Sequence, residues 1–173
     1  MSEKIIFKNQ EGVTLLETLV VVALMGMILA WSFPSILNTL ETRNLENEAR
    51  DILTVLQRAK YLAVKEKGSY RVRCYNDNGP WQYVIETENS PGNWVTTRGF
   101  VPKTISTKFN VTVNLPSEII TFSSMGLITD FDTNLNSITL QSDKLESYNQ
   151  PDIRIVSVFA GGSIRYEKTQ SGE

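Results

Sequence analysis

A run of 23 residues, Thr18–Leu40, contains no Asp, Glu, Lys or Arg, and nothing else in the chain constrains its fold as strongly. As a helix it would extend about 35 Å, more than the roughly 30 Å of a bilayer's hydrocarbon core. A carboxylate, Glu17, stands at the mouth of this run rather than well outside it. A plain anchor gains nothing from a charge there, and an ionisable residue at the edge of an apolar segment points to function.

After Pro34 the pattern turns amphipathic. Leu45, Ala49, Ile52, Leu56, Ala59 and Ala63 recur at three- and four-residue steps, with Leu53 and Val64 widening the stripe. Lys65 and Lys67 suit a helix C-terminal dipole, and Gly68 suits the C′ position just beyond it. The spacing predicts one helix from about residue 14 to 67, apolar all round in its first half and one-faced in its second. Its weak stretch lies between Gly26 and Pro34. Proline costs roughly 3 kcal/mol inside a helix and glycine about 1 kcal/mol relative to alanine. A kink is expected there in a single subunit.

The rest reads as strands and turns. Alternation predicts strands at Tyr70–Tyr75, Trp81–Glu88, Trp94–Val101, Phe109–Asn114, Glu118–Ser123, Ser137–Gln141, Ile153–Phe159 and Ser163–Tyr166. Turns fall at Asn76–Pro80 and Glu88–Asn93. One long helix followed by strands implies an α+β fold with a mostly antiparallel sheet wrapped on the stripe. Cys74 is the single cysteine, so no internal disulfide forms, and its alternation with Arg71 and Arg73 predicts a small buried residue.

Chemistry is sparse. With no histidine in the chain, the commonest general base and metal ligand is missing. No Gly-x-Ser-x-Gly elbow or glycine-rich phosphate loop occurs. Asp130, Asp132, Asn134 and Asn136 alternate as in a calcium loop, but Leu135 and Gln141 stand where glycine and a bidentate glutamate are needed. The stretch is expected to be a polar connection between strands. No cofactor and no enzymatic activity are expected. The net charge of −2 provides no global basic field.

The order Gly12-Val13-Thr14-Leu15-Leu16-Glu17 followed by the apolar run resembles the type IV prepilin signal. The resemblance implies cleavage after Gly12 by a prepilin peptidase that also N-methylates the new terminus, Val13. It implies that Glu17, fifth from that terminus, pairs with a neighbouring subunit's terminal amine during assembly. Gly26 and Pro34 fall fourteenth and twenty-second from Val13, matching the family's register. In its filaments the stretch between them loses helix. The chain departs from the family at Val13, where Phe is usual, and in a leader whose only basic residues are Lys4 and Lys8.

Ile119-Ile120-Thr121-Phe122-Ser123-Ser124-Met125-Gly126, and later Gly161-Gly162-Ser163-Ile164-Arg165, resemble the strand ends of GspH/FimT-type minor pilins and pseudopilins. The implied fold is the pilin lollipop. It comprises a cleaved leader at 1–12, a hydrophobic transmembrane and assembly helix at 13–40, an amphipathic continuation at 41–67 and a β-rich domain at 68–173. The implied role is a structural subunit that helps initiate or cap a type IV pilus or a type II secretion pseudopilus. Its partners would be the peptidase, other pilins or pseudopilins, an inner-membrane assembly platform and the bilayer. It would sit as a single-pass bacterial inner-membrane protein, N-terminus inside.

Two other readings of the N-terminus are a secretory signal peptide cut after Ala30-Trp31-Ser32 and a plain single-pass anchor. Some FimT-type pilins resemble this chain and bind DNA through a Gly-Arg-x-Arg motif. Here Gly162-Ser163-Ile164-Arg165 keeps only the second arginine, so Arg154, Arg165 and Lys168 are the candidate phosphate contacts. A solvated strand edge is the plainer expectation.

Overall fold

The computed structural model describes residues 12–172, with the backbone alone described at residues 30–36. The chain divides into two units, Met1–Thr39 and Leu40–Glu173. Helix α1, Leu15–Glu66, runs through both. No break in α1 occurs at Gly26 or Pro34. The side chain of Pro34, and the Ala30-Trp31-Ser32 site of the signal-peptide reading, lie outside the described residues, as does the leader up to Glu11.

In the first unit every described helical side chain up to Leu29 is exposed. A helix that is apolar all round has nothing in its own unit to pack on, and such a helix is buried by lipid or by other helices. Among the described residues no helix is long and apolar enough to cross a membrane. The uncharged run is described with its side chains only over Thr18–Leu29 and again from Leu37.

In the second unit α1 carries the predicted stripe. Leu45, Ala49, Ile52, Leu56, Ala59 and Ala63 are all buried. Leu53 packs on the core edge, whereas Val64 is 48% exposed and does not widen the stripe as expected. The helix ends through a left-handed residue at Lys67 (φ 54°), and the Gly68 N–H donates to the Ala63 carbonyl (3.2 Å). That bond is the Schellman pairing, so Lys67 occupies C′ and Gly68 is one residue farther out than predicted.

Two antiparallel sheets follow, where one was expected. Strands β1 (Tyr70–Tyr75), β2 (Gln82–Ser90), β3 (Asn93–Thr96), β4 (Lys103–Thr104) and β6 (Ile119–Phe122) form the first. Its order is β3-β2-β1-β6, with β4 on the same edge of β2 as β3. Strands β5 (Asn110–Asn114), β7 (Ser137–Gln141), β8 (Ile153–Val158) and β9 (Ile164–Thr169) form the second, in the order β5-β7-β8-β9. A short helix α2, Asp143–Ser147, follows β7 and is capped by the Ser142 hydroxyl, which accepts from the Leu145 N–H. Period-two alternation places Tyr70, Val72, Cys74, Ile85 and Phe122 of the first sheet inward, and Ile138, Leu140, Val156 and Val158 of the second, into one core with the stripe.

The glycine turns at the strand ends close this packing. Lys60 on α1 donates from Nζ to the Gly162 carbonyl (2.8 Å). Gly162 has φ 69°, and a Cβ there would run into the carbonyl oxygen of Gly126, whose own φ is 76°. Gly161, its neighbour, has open space and no positive φ. Gly162→Ala is therefore expected to destabilise the domain by more than the roughly 1–2 kcal/mol that left-handed backbone alone costs a non-glycine residue. Gly161→Ala should stay within about 0.5 kcal/mol of wild type. Urea unfolding of the two variants checks the contrast.

Candidate functional site: the N-terminal processing and assembly segment

Gly12, Val13 and Thr14 precede α1, are not helical and are exposed, Val13 by 69%. The Gly12–Val13 peptide bond therefore lies in exposed, non-helical chain just before the helix start at Leu15. Thr14 begins the helix: its Oγ1 accepts from the Glu17 N–H (3.2 Å) and its carbonyl from the Thr18 N–H (3.2 Å). Thr14-x-x-Glu17 is the capping-box pattern, a local signal that coincides with the prepilin register. Glu17 sits in the first turn, where the macrodipole favours a carboxylate. It is thus held in place locally while its carboxylate remains exposed.

A Cβ placed on Gly12 or on Gly26 would meet no atom within 4 Å. No contact in the described chain requires glycine at either position. Thr14→Ala should cost about 1 kcal/mol of helix-start stability, the usual value of an N-cap. Faster amide hydrogen exchange at Leu16–Thr18, with the stripe unaffected, checks it.

Of the three candidate phosphate contacts Lys168 is exposed, and the two arginines part company. Arg165 is exposed and pairs with Glu167 (3.1 Å), with its guanidinium 5.0 Å from the Phe159 ring centre. Arg154 is fully buried, which contradicts both its candidacy as a phosphate contact and the plainer expectation of a solvated edge at that residue. The alternation of β8 puts it on the inward face with Val156 and Val158. Its Nη1 donates to the Pro151 (3.1 Å) and Ile153 (2.9 Å) carbonyls, while Nε and Nη2 are buried without a hydrogen-bond partner. A phosphate cannot reach it without opening the fold.

Other polar groups serve the structure. Glu86, buried on the outer face of the first sheet, accepts from Arg71 (2.6 Å) and Arg73 (3.0 Å), and Arg71 stacks over Trp94 at 4.3 Å. Cys74 is buried as expected, and burial pushes its thiol up to about 12, far from a nucleophile at neutral pH. In the 130–136 loop, Asp132 Oδ1 accepts from its own Asn134 N–H (2.8 Å), a local turn bond. Among the described residues no group of three His, Cys, Asp or Glu gathers to hold a metal ion.

Asp152 ties down the C-terminal tail: it accepts from the Ser171 hydroxyl (2.5 Å) and N–H (2.9 Å) and from Gln141 Nε2 (3.0 Å). Burial pushes its carboxyl up, but the Ser171 and Gln141 bonds outweigh it and the net shift is downward. Its folded value thus lies below the unfolded value of about 3.9. The contribution is complete above that pH and is lost as pH falls through the folded value. Asp152→Asn should lower stability at pH 7 and flatten its decline between pH 5 and 3, as read by urea unfolding at several pH values.

Residues 7–33 match the family model for the prokaryotic N-terminal methylation motif. No curated protein matches the chain in sequence. Among solved structures, the type IV minor pilin FimU of Pseudomonas aeruginosa aligns at TM-score 0.51 and 18% identity, over 73% of this chain and 90% of that one. The minor pseudopilin EpsH from the type 2 secretion system of Vibrio cholerae aligns at TM-score 0.54 and 14% identity, over 75% and 99%. The fold is that of the type IV minor pilins and type II pseudopilins. Its N-terminus carries the methylation motif over a span that includes the start of α1 at Leu15.

Proposed function

We propose that this chain is a minor pilin or pseudopilin, a structural subunit that helps initiate or cap a type IV pilus or a type II secretion pseudopilus. The observation that carries this reading is the coincidence of the methylation motif over residues 7–33 with an exposed, non-helical Gly12–Val13 bond at the head of a pilin-fold helix. A prepilin peptidase removes residues 1–12 and methylates Val13. Residues 13–40 then hold the subunit in the bacterial inner membrane, N-terminus inside, and residues 41–173 stand outside it.

Glu17 is the assembly residue. At an apolar boundary a carboxylate costs a few kcal/mol unless it is paired, and the terminal amine of a neighbouring subunit is a fitting partner. The stretch from Gly26 to Pro34 is the part of α1 that yields on assembly, having the lowest helix propensity. The subunit works with the peptidase, with other pilins or pseudopilins and with an inner-membrane platform, and it has no catalytic task of its own.

Intact mass of the membrane-extracted protein tests the processing. A methylated chain beginning at Val13 is expected; one beginning at Phe33 would establish an ordinary signal peptide, and one beginning at Met1 or Ser2 a plain anchor. Glu17→Ala tests the assembly role. The variant should remain in the membrane at wild-type level and be absent from sheared filaments, and its unimpaired incorporation would remove Glu17 from this role.

A further inference from the structure

The outer edge of β2 is not continuously covered. β4 pairs with it at Gln82 and Tyr83, and β3 from Glu86 onward. Between them the Thr97 N–H bonds to the Ile85 carbonyl (2.9 Å), and residues 98–102 arch away before the chain returns at Lys103. Beneath the arch lies a cavity of about 170 Å³, floored by Val84 and Ile85 and walled by Val55 of α1 and by Phe100. It is comparable in size to an apolar cavity of about 150 Å³ that admits benzene, and so has room for one branched aliphatic side chain.

The mouth is basic. Arg58 is exposed and its guanidinium lies 5.1 Å from the Phe100 ring centre, which fixes it at the rim. Among the described residues no carboxylate pairs with it. Lys103, on the opposite side, pairs with Asp51 of α1 (3.1 Å) and so pins the arch without neutralising Arg58. Val101, at the crown of the arch, is 78% exposed.

We propose that this cavity docks a partner protein through one branched aliphatic side chain flanked by a carboxylate, the side chain entering beneath the arch and the carboxylate meeting Arg58. The apolar walls select the first element and the unpaired, stacked guanidinium the second. A neutral polar occupant would leave Arg58 unused, and a basic one would be repelled by it. The inference stands apart from the filament reading and holds or fails by itself.

N-acetyl-leucine carries both elements, and N-acetyl-leucinamide lacks the charge. Titrating each into the isotopically labelled full chain in detergent micelles, and following Val55, Val84 and Val101 by NMR, tests the proposal. The acid should give saturable shifts confined to these positions, with an affinity roughly fivefold higher than the amide, a modest gain for a solvent-facing charge. Arg58→Gln should abolish the acid's preference, and Thr54→Phe, which plugs the mouth from the exposed face of α1, should abolish both titrations. Equal binding of acid and amide, no shift at millimolar probe, or an effect unchanged by Arg58→Gln would overturn it. So would shifts at the same valines on concentrating the protein alone, which would make a second copy the occupant.

Discussion

Everything in the second unit depends on one packing contact: a narrow helix face seated on the inner faces of two sheets. Three of the six stripe residues are alanines, Ala49, Ala59 and Ala63, each fully buried. Leu45, Ile52 and Leu56 share one buried cluster with these alanines and with Val72, Ile85, Phe122 and Leu140. Burial at the helix is what holds the two sheets in one core, and the Lys60 contact to Gly162 fastens the far hairpin to the same helix.

The same helix leaves its first half without a partner in its own unit. Leu15, Leu19, Val22, Met25 and Ile28 are more than half exposed. One element thus solves its burial problem internally after Leu40 and passes it to the surroundings before it. A chain built this way leaves apolar helix surface exposed in its first unit among the described residues. At Gly12 and Gly26 an added Cβ would likewise meet open space in the described chain.

Much of this was legible in the sequence because period and alternation are direct physical signals. The six stripe positions, the strands at Tyr70–Tyr75 and Ser137–Gln141 and the buried Cys74 follow from spacing alone. What was missed depends on tertiary placement. A two-residue strand such as Lys103–Thr104 carries no periodicity, and strands of similar composition do not announce that they split into two sheets. The Trp94–Val101 strand stops at Thr96 because Thr97 makes the last bond to the edge of β2, at Ile85, and the chain then turns away. The charge of Arg154 suggests the surface, but its alternation with Val156 and Val158 places it inward. At the N-terminus, Thr14-x-x-Glu17 is readable as a cap that coincides with the prepilin register.

The division of labour along α1 is tested most directly by removing its first half. Residues 40–173 alone should be soluble without detergent, unfold cooperatively in urea at the same midpoint as the full chain, and show no association with lipid vesicles. A fragment that lacks a cooperative transition, or one that still binds vesicles, would contradict the account.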